Sequence, residues 1–262
     1  MHPIVLLLCL ALPLFIVPDA RAESFIVASD EWCPYNCGPG EVREGYAVDV
    51  LRAIFEPAGI TVDYRIMGWE RALEEARRGH VAAVIGADRE EAEGFVFPEE
   101  EIGMDYFAFF VRAGDPWRYM GPRSLLGRHL GIPAGYGLAP DIAAFYDFHK
   151  KEIDLYRAGR EEPALHNLRL LMEGRLDTVA DDAQVIRYIA HAAGLLGSIE
   201  YAGYDGDHVK LYIAFSPADP RSVGYAARFD KGMRALRASG RLAGFLDGYG
   251  LPDWRKGREA VP

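Results

Sequence analysis

The residues with chemistry to offer sit in a few short stretches, and none of them forms a catalytic motif. Trp32-Cys33-Pro34-Tyr35-Asn36-Cys37 places two aromatics and two thiols in one Pro- and Gly-rich loop. Arg71 follows Trp69 at the start of a helical pattern, and Asp88-Arg89 follows a short apolar run. Gly135-Tyr136-Gly137 precedes another helical pattern, and Asp181-Asp182 closes a second apolar run. Aromatic walls with a few placed charges are what a small-molecule pocket uses. Gly-x-Ser-x-Gly, a Walker loop and His-Glu-x-x-His are all missing from the sequence, and its seven His are scattered. Gly135-x-Gly137 is not a dinucleotide fingerprint, because Pro140 stands where the third Gly belongs.

Each of these residues also has a plainer reading. Trp32 and Tyr35 either face a ligand or cover a surface. Arg71 lies off the stripe of Trp69, Leu73 and Ala76, and as a cation in a first turn it opposes the helix dipole. It either meets a ligand or pairs with Glu75 one turn on. Asp182 either takes a cationic group or caps the helix after it. Tyr136 is a ligand wall or a surface aromatic.

The elements that must position them alternate. Residues 47–58 carry apolar positions at Ala47, Val48, Leu51, Ile54, Phe55 and Ala58, the stripe of a helix with one buried face, with Gly59 as its C-cap. Residues 61–66 read as a strand, 69–76 as a second helix stopped by Gly79, and 81–85 as a strand covered on both faces. Strands are also expected at 25–28, 105–112, 130–132 and 209–215, and residues 175–182 read as turn, strand and acidic pair. Helices are expected at 139–148, 165–172, 183–193, 222–238 and 241–249. Alternation of this kind implies parallel sheets, which bind ligands beyond the carboxyl ends of their strands.

Residues 4–17 are almost wholly apolar and precede Ala20-Arg21-Ala22, the pattern of a signal peptide ending at residue 22, although Met1-His2-Pro3 lacks the usual basic charge. The run is shorter than the roughly 20 residues that span a bilayer. About 240 residues remain, enough for two lobes of ordinary size. Half the chain is apolar and its net charge is −10, which lacks the basic footprint of nucleic-acid binding. In an exported chain, Cys33 and Cys37 read as a disulfide that fixes where Trp32 and Tyr35 point. A zinc site is the alternative, and no nearby His or third Cys completes one.

The order Gly45-Tyr46, Asp49, Trp69 with Leu73, Gly79 and then a strand resembles the family 3 extracellular solute-binding proteins, the periplasmic receptors of polar amino acid uptake. The resemblance covers nearly the whole mature chain. It implies a type II periplasmic binding protein fold: two α/β lobes joined by a two-strand hinge, with the ligand cleft between them. The lobes would be 23–112 with 209–262, and 113–208. It implies a monomeric periplasmic receptor without a cofactor, closing on a small polar or amino acid-like solute and serving an ABC-type permease or a membrane sensor. Trp32, Tyr35, Tyr46, Trp69 and Tyr136 would be walls, Gly137 would offer backbone amides to an anionic group, and Asp182 would take an amino group. The family's carboxylate-binding Arg aligns with Glu91 or Ala92, so Arg71 or Arg89, beside Asp88, would have to replace it. An enzyme is not expected; the alternative on this fold is a periplasmic dehydratase using Asp88, Arg89 and Asp182.

Overall fold

The computed structural model describes residues 23–133, 138, 140–159, 162–206 and 208–255. The expected signal peptide, Tyr136 and Gly137 therefore lie outside the described residues.

The amino-terminal half of the first sheet forms as its patterning dictates. Strand β1 (Glu23–Ser29) leads through a long loop to helix α1 (Tyr46–Phe55), whose apolar stripe is buried. A 3-10 turn comes after it and ends at Gly59, in the left-handed region at φ 79°. Strand β2 (Ile60–Ile66), helix α2 (Trp69–Arg77), strand β3 (Ala83–Ala87) and strand β4 (Gly103–Asp105) come next. Strand β5 (Phe107–Arg112), strand β6 (His129–Pro133), helix α3 (Pro140–His149), strand β7 (Asp154–Ala158) and helix α4 (Pro163–Met172) then begin the second sheet. Strand β8 (Thr178–Asp182), helix α5 (Ala183–Ala192) and strand β9 (Ile199–Tyr204) complete it. Strand β10 (Val209–Phe215) returns to the first sheet, and helices α6 (Ser222–Ala238) and α7 (Arg241–Gly248) come last.

The two sheets share one plan. Their orders are β2-β1-β3-β10-β4 and β7-β6-β8-β5-β9. In each, three strands run parallel, and a fourth arrives from the other lobe and pairs antiparallel with the third. The fifth strand pairs antiparallel with that incoming one and leads back out. Helices cover both faces, so central strands are apolar on both sides. In β5, Phe109 and Val111 face the cluster with Leu130, Ile132 and Ile142, whereas Ala108 and Phe110 face the one with Leu168, Leu171 and Ile186. In the first lobe Phe25 stacks on Phe55 with centroids 4.8 Å apart, beside Phe215, Tyr225 and Phe229.

The strand pairing moves one expected boundary. Residues 105–112 read as a single strand of the first lobe, but β4 ends at Asp105 and β5 pairs with β8 and β9. The first crossing is therefore Tyr106 alone, inside a run of apolar residues whose pattern carries no sign of a change of partner. The second crossing lies between Tyr204 and Val209, alongside the first: Val209 pairs with Asp105, and the Asp205 amide donates to the Phe107 carbonyl at 3.0 Å.

Candidate functional site

The carboxyl ends of the central strands of both sheets meet at Tyr35 and Asp182. Tyr35 comes from the loop after β1, and the sequence holds that loop locally. Cys33 and Cys37 are bonded, with their Cα atoms 4.8 Å apart. The Trp32 amide donates to the Asn36 carbonyl at 2.8 Å. The first amides of α1 turn back on the same loop, Tyr46 to the Pro34 carbonyl at 3.1 Å and Ala47 to the Tyr35 carbonyl at 3.0 Å. Those bonds satisfy donors that a helix start leaves open. They need a close approach at Gly45, which has φ 103° and where a Cβ would lie 2.4 Å from the Tyr35 carbonyl oxygen. No side chain fits there.

So fixed, the Tyr35 hydroxyl donates to the Met104 carbonyl at 2.9 Å and to Asp182 Oδ2 at 3.2 Å. Trp32 is half-buried and stacks on Tyr35, centroids 4.4 Å apart, with its ring edge 3.6 Å from where a Cβ would stand at Gly86 of β3. Its Nε1 is buried, and among the described residues it has no hydrogen-bond partner.

Asp182 is 2% exposed, and of the two roles open to it the structure shows the cap. Its Oδ1 caps α5, accepting the Gln184 and Val185 amides at 2.9 Å each. Its Oδ2 accepts the Tyr106 amide at 3.1 Å as well as the Tyr35 hydroxyl. Asp105 lies against it, carboxyl to carboxyl, and Asp105 Oδ1 is buried without a partner among the described residues. Burial first, and then the neighbouring Asp182 charge, hold the Asp105 carboxyl well above the usual carboxylate range. Asp181 is equally buried, accepts the Asp182 amide at 2.8 Å on Oδ1, and is pushed up to about 7 by burial. Burial and then the Asp182 carboxylate push the Tyr35 phenol well up. After burial, the charges that raise these groups are other carboxyls, and no described basic side chain is among the main influences on them, so the group is acidic throughout.

The remaining expected residues divide. Asp88 comes after β3, half-buried, and its Oδ1 accepts the Glu90 and Glu91 amides at 2.7 and 2.8 Å. Tyr46 is not a wall: at 1% exposed it is packed among Tyr35, Tyr249 and Trp254, because it opens α1 on the helix's buried face. Trp69 is half-buried against Ala72, Leu73 and Ala76 of its own lobe. Arg71 is exposed on α2. The Arg89 guanidinium lies 4.8 and 4.7 Å from the ring centroids of Phe97 and Tyr212 and donates to the Pro98 carbonyl at 3.1 Å. The structure therefore does not bring either Arg to the Tyr35–Asp182 group. Asp105 is a member that the sequence pattern hides, since a single acid at the head of an aromatic strand looks like a strand edge. Its signal is its place before the crossing. Among the described residues, no group of three or more His, Cys, Asp or Glu is arranged to hold a metal. No described helix is long and apolar enough to cross a membrane.

No family model matches the chain, and no curated protein matches it. Solved structures do. A histidine kinase sensor domain with similarity to periplasmic binding proteins is 23% identical, with TM-score 0.64, covering 87% of this chain and 96% of its own. The histidine-bound substrate-binding protein of an ABC uptake transporter from Streptococcus pneumoniae is 17% identical, with TM-score 0.67, covering 86% and 92%. A structure from the study of glutathione import in Streptococcus mutans is 16% identical, with TM-score 0.71, covering 90% and 99%. The shared property is the fold: two α/β lobes of the periplasmic binding protein type.

Proposed function

We propose that this chain is an exported, monomeric receptor that closes its two lobes on a small polar solute bearing an amine, and delivers it to an ABC-type importer. The observation that carries this reading is a pair of buried polar atoms without partners on either side of Tyr35: the donor Trp32 Nε1 and the acceptor Asp105 Oδ1. Buried polar groups are almost always paired in a finished structure, and here a solute presenting one acceptor and one donor would pair them. The acidic floor favours a positive group on that solute. The half-buried Trp32 ring, stacked on the buried Tyr35, offers an aromatic face for it. The solutes named for the similar structures, histidine and glutathione, both carry an amine.

A second reading has its own support, since a sensor domain is among the similar structures, 23% identical over nearly its full length. The same capture would then report the solute to a membrane partner. The dehydratase alternative asks Asp88, Arg89 and Asp182 to work freely in one cleft. Both oxygens of Asp182 are committed to donors, and Arg89 is committed to Pro98 and two rings.

A thermal-shift screen of the chain from Glu23 onward, against amines, amino acids, short peptides and organic acids, tests the proposal. A solute that binds only the folded state adds roughly 2.7 kcal/mol at a hundred times its dissociation constant. Stabilisation by amine-bearing solutes that are not consumed is the expected result. Hits confined to organic acids would overturn the amine, and consumption of the hit would replace the receptor with an enzyme.

A further inference from the structure

The carboxyl pair on the cleft floor does more than face a solute, because its two members belong to different lobes. Asp105 is the last residue of β4 in the first sheet, and Asp182 is the last of β8 in the second. Only Tyr106 separates Asp105 from the second sheet. Its amide donates to Asp182 Oδ2, and its carbonyl accepts the Ala183 amide at 3.0 Å. The Tyr35 hydroxyl reaches the same Oδ2 from the loop after β1. One carboxylate thus gathers the crossing strand, the first-lobe loop and the start of α5.

We propose that Asp105 and Asp182 form a proton-dependent latch: with one proton shared between them the lobes are held together at Tyr35, and with that proton lost the two carboxylates drive the lobes apart. The inference goes beyond the receptor reading and does not depend on which solute binds.

The location of the proton is set by the donors. Asp182 receives four, two on each oxygen, and a carboxylate so supplied keeps its charge. Asp105 has a buried oxygen without a donor, so it keeps the proton and gives it to Asp182. Two carboxyls this close titrate as a unit. Among the described residues the titratable groups around them are Tyr35 from the loop after β1, Tyr46 from α1, Asp88 and Glu91 from the loop after β3, Tyr106 at the crossing with the His208 ring 4.3 Å from its own, and Asp181 on β8. None of these described groups is a Lys or Arg that would neutralise a second negative charge. Burial pushes both members up from the ordinary carboxylate value, so the shared proton persists well above the pH at which exposed carboxyls lose theirs.

The test needs no ligand. Phe148 on α3 and Val223 on α6 are 88% and 70% exposed, one in each lobe. Phe148→Cys and Val223→Cys in the chain from Glu23 onward, which holds both sheets and their helices, accept a spin label each, since Cys33 and Cys37 are bonded to one another. Pulsed dipolar distances between the labels are expected to lengthen from pH 5 to pH 8. Asp105→Asn, which still donates a hydrogen bond but cannot ionise, is expected to keep the short distance at both. Tyr35→Phe is expected to lengthen it at pH 5. Identical distance distributions at the two pH values would overturn the proposal using the labelled protein with its hinge intact, whether or not a hinge variant folds. A pH shift that survives Asp105→Asn would overturn it equally.

Discussion

The turns after β3 and β8 stand at corresponding places in two sheets of the same plan, and each begins with an aspartate that caps the turn or helix after it. Asp88 accepts the amides two and three residues on, as Asp182 does, with closely similar lengths. Beyond the cap the two diverge. After Asp182 come Ala183, Val185, Ile186 and Ala190, a buried stripe that carries ten residues of helix. After Asp88 come Arg89, Glu90, Glu91 and Glu93, with no stripe to bury, and the turn ends at Gly94 with φ 86°. The capping geometry is therefore local and common to both. The helix depends on what the next residues can bury, in line with helices in proteins drawing their stability from packing. The second carboxylate oxygen makes the other difference. That of Asp182 is enclosed by the other lobe, and Asp88 sits half-buried on its own.

The comparison is broken most severely by Asp182→Ala. It strands three buried amides, those of Tyr106, Gln184 and Val185, and so removes the cap of α5 and one of the two bonds that tie Tyr106 to the second sheet. A loss of roughly 3–5 kcal/mol is expected from the urea midpoint. A loss near that of an ordinary cap would mean that water replaces the carboxylate and that the floor is open.

Asp181 sharpens the contrast through pH. Its burial lifts it from 3.8 to about 7, so the folded chain holds this proton more tightly than the unfolded chain does. The associated stability is complete below about pH 4 and is lost as pH rises through about 7, on the order of 4 kcal/mol. Asp181→Asn keeps an oxygen for the Asp182 amide and removes the ionisation. Its melting temperature is expected to fall less between pH 5 and pH 8 than that of the parent, and to exceed the parent's at pH 8. Parallel curves would show that Asp181 is hydrated when folded.

The first lobe's share of the site is tested at Gly103. A Cβ there would lie 2.5 Å from the Tyr46 hydroxyl and 2.8 Å from Tyr35 Cε1. Gly103→Ala should displace Tyr35 from Asp182 and cost about 1–3 kcal/mol, the usual range for overpacking. The near-ultraviolet circular dichroism of the Trp32–Tyr35 stack should change with it. An unaltered spectrum would mean that the ring position is set by the disulfide loop alone.

How much of the molecule is legible in its sequence divides in the same way, between local and distant causes. Strand β10 has the ends its pattern predicts, and the buried stripe of α1 comes directly from periodicity, although α1 ends at Phe55 and Gly59 caps the 3-10 turn after it. Strands β7 and β9 give no usable signal: Asp154–Ala158 is an edge strand with only Ala158 fully buried, and Ile199–Tyr204 contains Gly203 in the left-handed region. In the site, Trp32, Tyr35 and Asp182 come together, and each is a candidate from its own neighbourhood. The burial of Tyr46 depends on Tyr249 and Trp254, some 200 residues away. The role of Asp105 depends on which sheet Tyr106 crosses into. Neither fact is written within reach of the residue itself.

The smallest effect belongs to Asp88→Ala. Its cap serves a turn of six residues rather than a helix, its side chain keeps contact with water, and the two amides it leaves, those of Glu90 and Glu91, lie on exposed residues that solvent can serve. A loss of about 0.5–1 kcal/mol is expected, the low end for removing a cap. If the turns after β3 and β8 differ only through burial, the gap between Asp88→Ala and Asp182→Ala should persist at 1 M salt, where exposed charge interactions are screened out and buried ones are not. A gap that closes with salt would assign the difference to the long-range field of the acidic cleft instead of to the donors enclosed around Asp182.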